Sequence, residues 1–193
     1  ISIYNRLMKM NIGLLGGTFN PAHDGHIHIS NIALRSLKLD EVWWIVTPQN
    51  PLKLSNDKDN IHTRVKNAKL FVKNNRIRVG APEIKLRTNY TYDTLLRLNK
   101  SIPNVDFIWL IGADNMIIMH KWYRWRKIFF LNPIVVIDRP NYFRQAITSK
   151  ASRYFWRRKI NNKNITNISN YSLPAWGYIR TKLNSSSSTK IRK

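Results

Sequence analysis

Two histidines set three apart, His23 and His26, flank Gly25 shortly after a pair of glycines, Gly16 and Gly17. An imidazole can donate a hydrogen bond to a phosphoryl oxygen, and its charge can rise as a reacting phosphate becomes more negative. On the opening turn of a helix that spacing puts both rings on one side, where they could face one phosphate. Gly16 and Gly17 lack Cβ atoms, so the backbone there can turn tightly and bring its amides within reach of an anion, helped by the positive end of a following helix. Their spacing is neither G-x-G-x-x-G nor G-x-x-x-x-G-K-[ST], and a Gly-Gly before a helix is often an ordinary turn. As zinc ligands the two histidines lack a carboxylate or cysteine at suitable spacing. His28 reads as a surface residue.

The elements that must position these groups follow from the apolar pattern. Ile12 to Leu15 is a short apolar run that stops at the glycines, and an amphipathic stretch from about His26 to Leu39 follows: strand, glycine turn, helix. Val42 to Val46 reads as a buried strand closed by Pro48, and Asn60 to Val72 has helical spacing. Ile77 to Val79, Val105 to Ile111 and Ile134 to Ile137 read as further strands, with helices predicted over Thr91 to Leu98 and Trp122 to Phe130. Tyr142 to Arg158 has the basic and aromatic content of a surface helix, Asn161 to Asn170 reads as a polar loop, and Ala175 to Arg180 as a last strand. Alternating strands and helices predict an α/β, doubly wound, mostly parallel sheet with helices on both faces, a Rossmann-like arrangement. In such a sheet the strand-to-helix junction carrying the histidines is where ligands bind.

A chain of 193 residues with 43% hydrophobic content can bury one substantial core. The expected organisation is one domain over 10–193, preceded by a peripheral extension at 1–9. With no cysteine, disulfides and thiolate metal sites are excluded, which suits a reducing cytoplasm. No signal sequence and no apolar run of membrane-spanning length is evident. The 33 Lys and Arg against 10 Asp and Glu give a net charge of +23, a field that attracts polyanions and phosphate-rich small molecules alike. No zinc-finger, RRM or basic-zipper signature accompanies it, so no specific nucleic acid is expected as a partner. The sequence leaves a homo-oligomer open.

The run Gly16-Gly17-Thr18-Phe19-Asn20-Pro21-Ala22-His23-Asp24-Gly25-His26 resembles the signature of the H-x-G-H nucleotidyltransferase superfamily, and within it of the nicotinate mononucleotide adenylyltransferases. Other segments match that family in order: Trp43-Trp44 leading to Pro48-Gln49-Asn50-Pro51-Leu52-Lys53, Tyr90 to Leu95, Ile111-Gly112-Ala113-Asp114, and Trp122 with Trp125. Arg139-Pro140, Pro174-Ala175-Trp176 and Ser187-Ser188-Thr189-Lys190-Ile191-Arg192 complete the series, so the likeness spans nearly the whole chain.

The resemblance implies transfer of the adenylyl group of ATP to nicotinate mononucleotide, with Mg²⁺ carried by the triphosphate. The alternatives are a sibling enzyme acting on nicotinamide mononucleotide or phosphopantetheine, or a basic nucleic-acid-binding protein without catalysis. By the resemblance Gly16, Gly17, Thr18 and Phe19 line the phosphate path, His23 and His26 meet the ATP phosphates, and Gly112 and Asp114 hold ribose and adenine. Ser188, Thr189 and Arg192 also belong to the ATP side. Lys53, Thr91, Trp122 and Arg139 fall to the acceptor, with Trp122 stacking on its ring. From pattern alone, Gly-Ala-Asp could be a plain helix cap, Lys53 plain surface, and Trp122 and Trp125 core residues at helical spacing. Two departures stand out. Asn20 replaces the Asp of many members, and the helix that the terminal motif should open is expected to be truncated at Lys193.

Overall fold

The computed structural model describes residues 9–48 and 60–180. Six strands form one sheet: β1 (Met10–Gly17), β2 (Glu41–Val46), β3 (Ile77–Gly80), β4 (Val105–Gly112), β5 (Ile134–Ile137) and β6 (Trp176–Ile179). Their order is β3-β2-β1-β4-β5-β6 and every pairing is parallel. The sequence reverses direction between β1 and β4, which places the ligand crevice of a doubly wound sheet beyond the carboxyl ends of those two strands.

Alternation along the strands divides the core into two layers. Ile12, Leu14, Phe107, Trp109, Ile134 and Val136 face one way, onto α4 (Thr91–Ser101), α5 (Ala113–Ile118), α6 (Trp125–Ile128), α7 (Phe143–Ile147) and α8 (Lys150–Tyr154). Leu15, Val42, Trp44, Leu110 and Val135 face the other, onto α1 (Asp24–Ser36) and α2 (Ile61–Phe71). Both faces being covered explains why the strands read as continuous apolar runs.

Three segments differ from the sequence reading. The helix expected over Trp122 to Phe130 is one turn, Trp125–Ile128, because Trp122 is extended (φ −77°, ψ 148°) and Arg124 is left-handed (φ 49°). The helix expected over Tyr142 to Arg158 breaks at Ser149, whose extended backbone and side chain cap α8 instead. Asn161 to Asn170 forms 3₁₀ turns over Asn162–Asn170, kinked at Asn167, that bury Ile165 and Ile168 on either side of the kink. Two short helices lie outside those expected, α5, which Gly112 opens, and α3 (Pro82–Leu86), started by the proline at its first position.

Candidate active site

The first strand ends in extended geometry at Gly16 and Gly17, and no described glycine has a positive φ. The expected glycine turn lies two residues on, where Phe19 takes φ 47° before a cis Asn20–Pro21 peptide. The glycines serve packing instead. A Cβ at Gly16 would come 2.6 Å from the Trp109 ring on neighbouring β4, and one at Gly17 would lie 3.2 Å from the Phe19 ring.

His23 does not sit on the helix but caps it. Its Nδ1 accepts from the Gly25 amide at 3.1 Å, while its own amide donates to Nδ1 of His26 at 3.2 Å. This is a capping box made of two imidazoles, with His26 in the place that Glu or Gln fills in the common version. Because both Nδ1 atoms accept, each neutral ring carries its proton on Nε2. The rings lie 3.8 Å apart between centroids, and both residues are buried.

Electrostatics keeps them neutral. Burial, followed by the Arg139 charge, lowers the His23 pKa from 6.5 to about 4. Burial, then His23 and then Arg139, lowers His26 to about 2. Behind His26, Phe19 packs at 4.6 Å and itself stacks on Trp44 at 4.7 Å. Trp44 donates through Nε1 to Ser30 Oγ at 2.8 Å, and that hydroxyl donates to the His26 carbonyl at 2.8 Å. The Phe19 side chain, buried between His26 and Trp44, is therefore a support under His26.

Across the crevice, Gly112 caps α5 at the end of β4. A Cβ there would meet Asp114 Oδ1 at 2.5 Å and Arg139 Nε at 2.8 Å, so three of the expected site residues converge on one point. Arg139 pairs with Asp114 Oδ2 at 3.2 Å, and Asp114 Oδ1 is buried without a hydrogen bond among the described residues. Arg139, assigned from sequence to the acceptor side, thus sits with Gly112 and Asp114 and acts on both histidines. Thr91 opens α4, the crossover from β3 to β4, so its end of that helix also faces the carboxyl edge of the sheet. Trp125 is buried in the first core layer, whereas Trp122 is half-buried against it. His28 is half-buried rather than a surface residue. Lys53, Ser188, Thr189 and Arg192 lie outside the described residues.

Sequence reasoning missed three contributors. Arg64 is buried on α2 and donates to the carbonyls of Thr18 at 2.8 Å, Thr47 at 2.9 Å and Pro48 at 2.7 Å, bracing the loop after β1 against the end of β2. Its signal was an arginine four residues before Ala68, on the stripe that α2 buries. Trp109 fills the space above Gly16, a match that only strand pairing reveals. Glu83 is buried beside α4, with Oε1 accepting from Thr94 Oγ1 at 3.3 Å.

The cytidylyltransferase-like family model matches residues 14–193. The chain shares the fold of the Plasmodium falciparum nicotinic acid mononucleotide adenylyltransferase complexed with NaAD, with a TM-score of 0.65 at 20% identity, over 95% of this chain and 82% of that one. A relative from Ruegeria, named a probable nicotinate-nucleotide adenylyltransferase, is 40% identical over 95% of this chain and 97% of its own. One of the same name from Brucella suis is 39% identical over 95% of each. At that identity over nearly the full length of both chains, this chain belongs to the nicotinate-nucleotide adenylyltransferases of the cytidylyltransferase-like family.

Proposed function

We propose that the chain transfers the adenylyl group of ATP to nicotinate mononucleotide, forming nicotinate adenine dinucleotide and pyrophosphate in NAD biosynthesis. The observation that carries the chemistry is the reciprocal His23–His26 cap, which uses both Nδ1 atoms and leaves two Nε2–H donors for phosphoryl oxygens. The acceptor phosphate, with a second pKa of about 6, is already charged at neutral pH and attacks the α-phosphorus without a general base. A P–O bond forms to the acceptor as the bond to pyrophosphate breaks, and the two imidazole N–H groups stabilise by hydrogen bonding the negative charge that moves onto the leaving group. A bound triphosphate raises the histidine pKa values, since an adjacent anion favours the charged ring.

Asp114 and Arg139 suit the nucleoside side, their ion pair through Oδ2 orienting a carboxylate whose Oδ1 has no hydrogen bond among the described residues. Among the described residues no side chain caps α4 at Tyr90, which suits its opening amides to the carboxylate that distinguishes nicotinate from its amide. Mg²⁺ would arrive with ATP, coordinated by the phosphates it brings. We place the reaction in the cytoplasm, which a cysteine-free chain suits.

The test is pyrophosphate release from ATP and Mg²⁺ across an acceptor panel. Nicotinate mononucleotide should give the highest kcat/KM, and His26→Ala should abolish turnover. Turnover only with phosphopantetheine would transfer the chain to a sibling activity, and no turnover with any acceptor would overturn the reading.

A further inference from the structure

Between residues 115 and 180 the sequence carries thirteen Lys and Arg and one acid, Asp138. That acid is buried and accepts from the Tyr178 hydroxyl at 2.5 Å, so it neutralises little of the surface. The excess is concentrated where α6, α8 and the 3₁₀ turn Trp156–Arg158 meet: Arg126, Lys127, Arg153, Arg157, Arg158 and Lys159 are all exposed.

Among these cations stand three large aromatic rings that the core does not enclose. Phe130 is 57% exposed, Tyr154 57% and Trp156 65%. Tyr154 and Phe130 are joined through the buried ring of Phe155, at 4.8 Å and 6.1 Å, and Trp156 follows Phe155 directly in the chain. Guanidiniums lie over the rings: Arg126 is 4.9 Å from the Tyr154 centroid and Arg157 is 5.3 Å from that of Trp156. Isolated exposed aromatics need no explanation, but a joined set interleaved with arginine is a surface built to contact something.

We propose that this Arg–aromatic platform binds single-stranded nucleic acid without sequence preference, the rings stacking on bases and the cations following the phosphates. The charge disfavours a second copy of this chain, because the platform would meet its own sign across a twofold interface. A lipid surface suits it less well, since interfacial binding uses a long amphipathic helix and these rings sit on and beside short elements, α6 (Trp125–Ile128), α8 (Lys150–Tyr154) and the turn Trp156–Arg158. Base stacking is the recognition that rings alone provide, and every base offers a face to it. The platform lies outside the residues assigned to adenylyl transfer, so the two activities are separable.

The experiment uses the full chain with a fluorescent oligouridylate, read by anisotropy over a salt series. Trp156→Ala or Tyr154→Ala should weaken binding at least about fivefold, with adenylyl transfer and circular dichroism unchanged because both rings are largely exposed. Arg157→Gln should lower the slope of log K against log salt by about one. Lys66→Gln on α2, on the opposite face of the sheet, should leave affinity within about twofold if the site is local. Equal affinity in the ring variants, equal binding of a duplex of the same charge, or binding of phosphatidylserine vesicles with no binding of the oligonucleotide would overturn the proposal.

Discussion

At the scale of the residue, His23 and His26 have two jobs that can be separated. Each Nδ1 holds the opening of α1, and in the proposed reaction each Nε2–H donates to a phosphoryl oxygen. His23→Asn keeps a good cap acceptor, and His26→Gln keeps the reciprocal partner of a capping box. Both variants should unfold within about 1 kcal/mol of the parent, yet lose roughly 10²- to 10³-fold in kcat, the scale of removing one preorganised donor. Variants that unfold normally and still turn over at the parental rate would detach the imidazoles from the chemistry. The parent should also lose stability as pH falls from 6.5 toward 4. In that window unfolded histidines take up protons that the folded rings, lowered to about 4 and about 2, refuse. His26→Gln should flatten this slope. The sequence displayed the histidine spacing and the glycine pair, the residues from which the candidate site is built. It did not display that the imidazoles cap each other, since that depends on the extended backbone of His23. Nor did it reveal that Gly16 makes room for Trp109, because the two belong to different strands.

At the scale of the element, the strands were legible because both sheet faces are covered and β2, β4 and β5 are dense apolar runs, while β3, with exposed Arg78, showed only as the brief Ile77 to Val79. Helices shorter than two turns were not. α3, α6, α7 and α8 are too brief for a periodicity to develop, and their limits are set by Pro82, Arg124 and Ser149 rather than by an apolar stripe. Glu83 shows what such a short element can hide. Burial pushes its pKa from 4.5 up to about 7, against the opposing hydrogen bond from Thr94, and its Oε2 has no hydrogen-bond partner among the described residues. The Thr94 hydroxyl also meets that of Thr88 at 2.8 Å, so this cluster ties α3 to the first turn of α4, where Thr91 sits. A carboxyl with a raised folded pKa contributes stability that is present in full below its unfolded value and lost as pH rises toward the folded one. Glu83→Gln should therefore be close to neutral at pH 4.5 and stabilising by about 1–3 kcal/mol above pH 7. Urea midpoints at the two pH values measure it, and equal shifts at both would show that Glu83 does not titrate with the fold.

At the scale of the whole molecule, the net charge of +23 outweighs what pairing can absorb, with three ion pairs among the described residues, Lys9–Asp106, Arg78–Glu41 and Arg139–Asp114. Both proposed substrates are phosphate anions, and the crevice beyond β1 and β4 carries Arg139 with two neutral histidines rather than a cluster of acids. The field should therefore gather ATP and acceptor from solution faster than uncharged diffusion would. Because the field acts on approach and not on the bound complex, salt should separate the two kinetic constants. Between about 0.02 and 0.2 M ionic strength, as the Debye length contracts below about 10 Å, kcat/KM for ATP should fall several-fold. The kcat should change little, since imidazoles packed against Phe19 and Trp44 are screened far less than exposed charge. Removing distant cations tests the same field from the protein side: Lys66→Glu with Lys69→Glu on exposed α2 should lower kcat/KM at low salt and leave it unchanged at high salt. A loss that persists at high salt would instead assign α2 a direct contact with substrate.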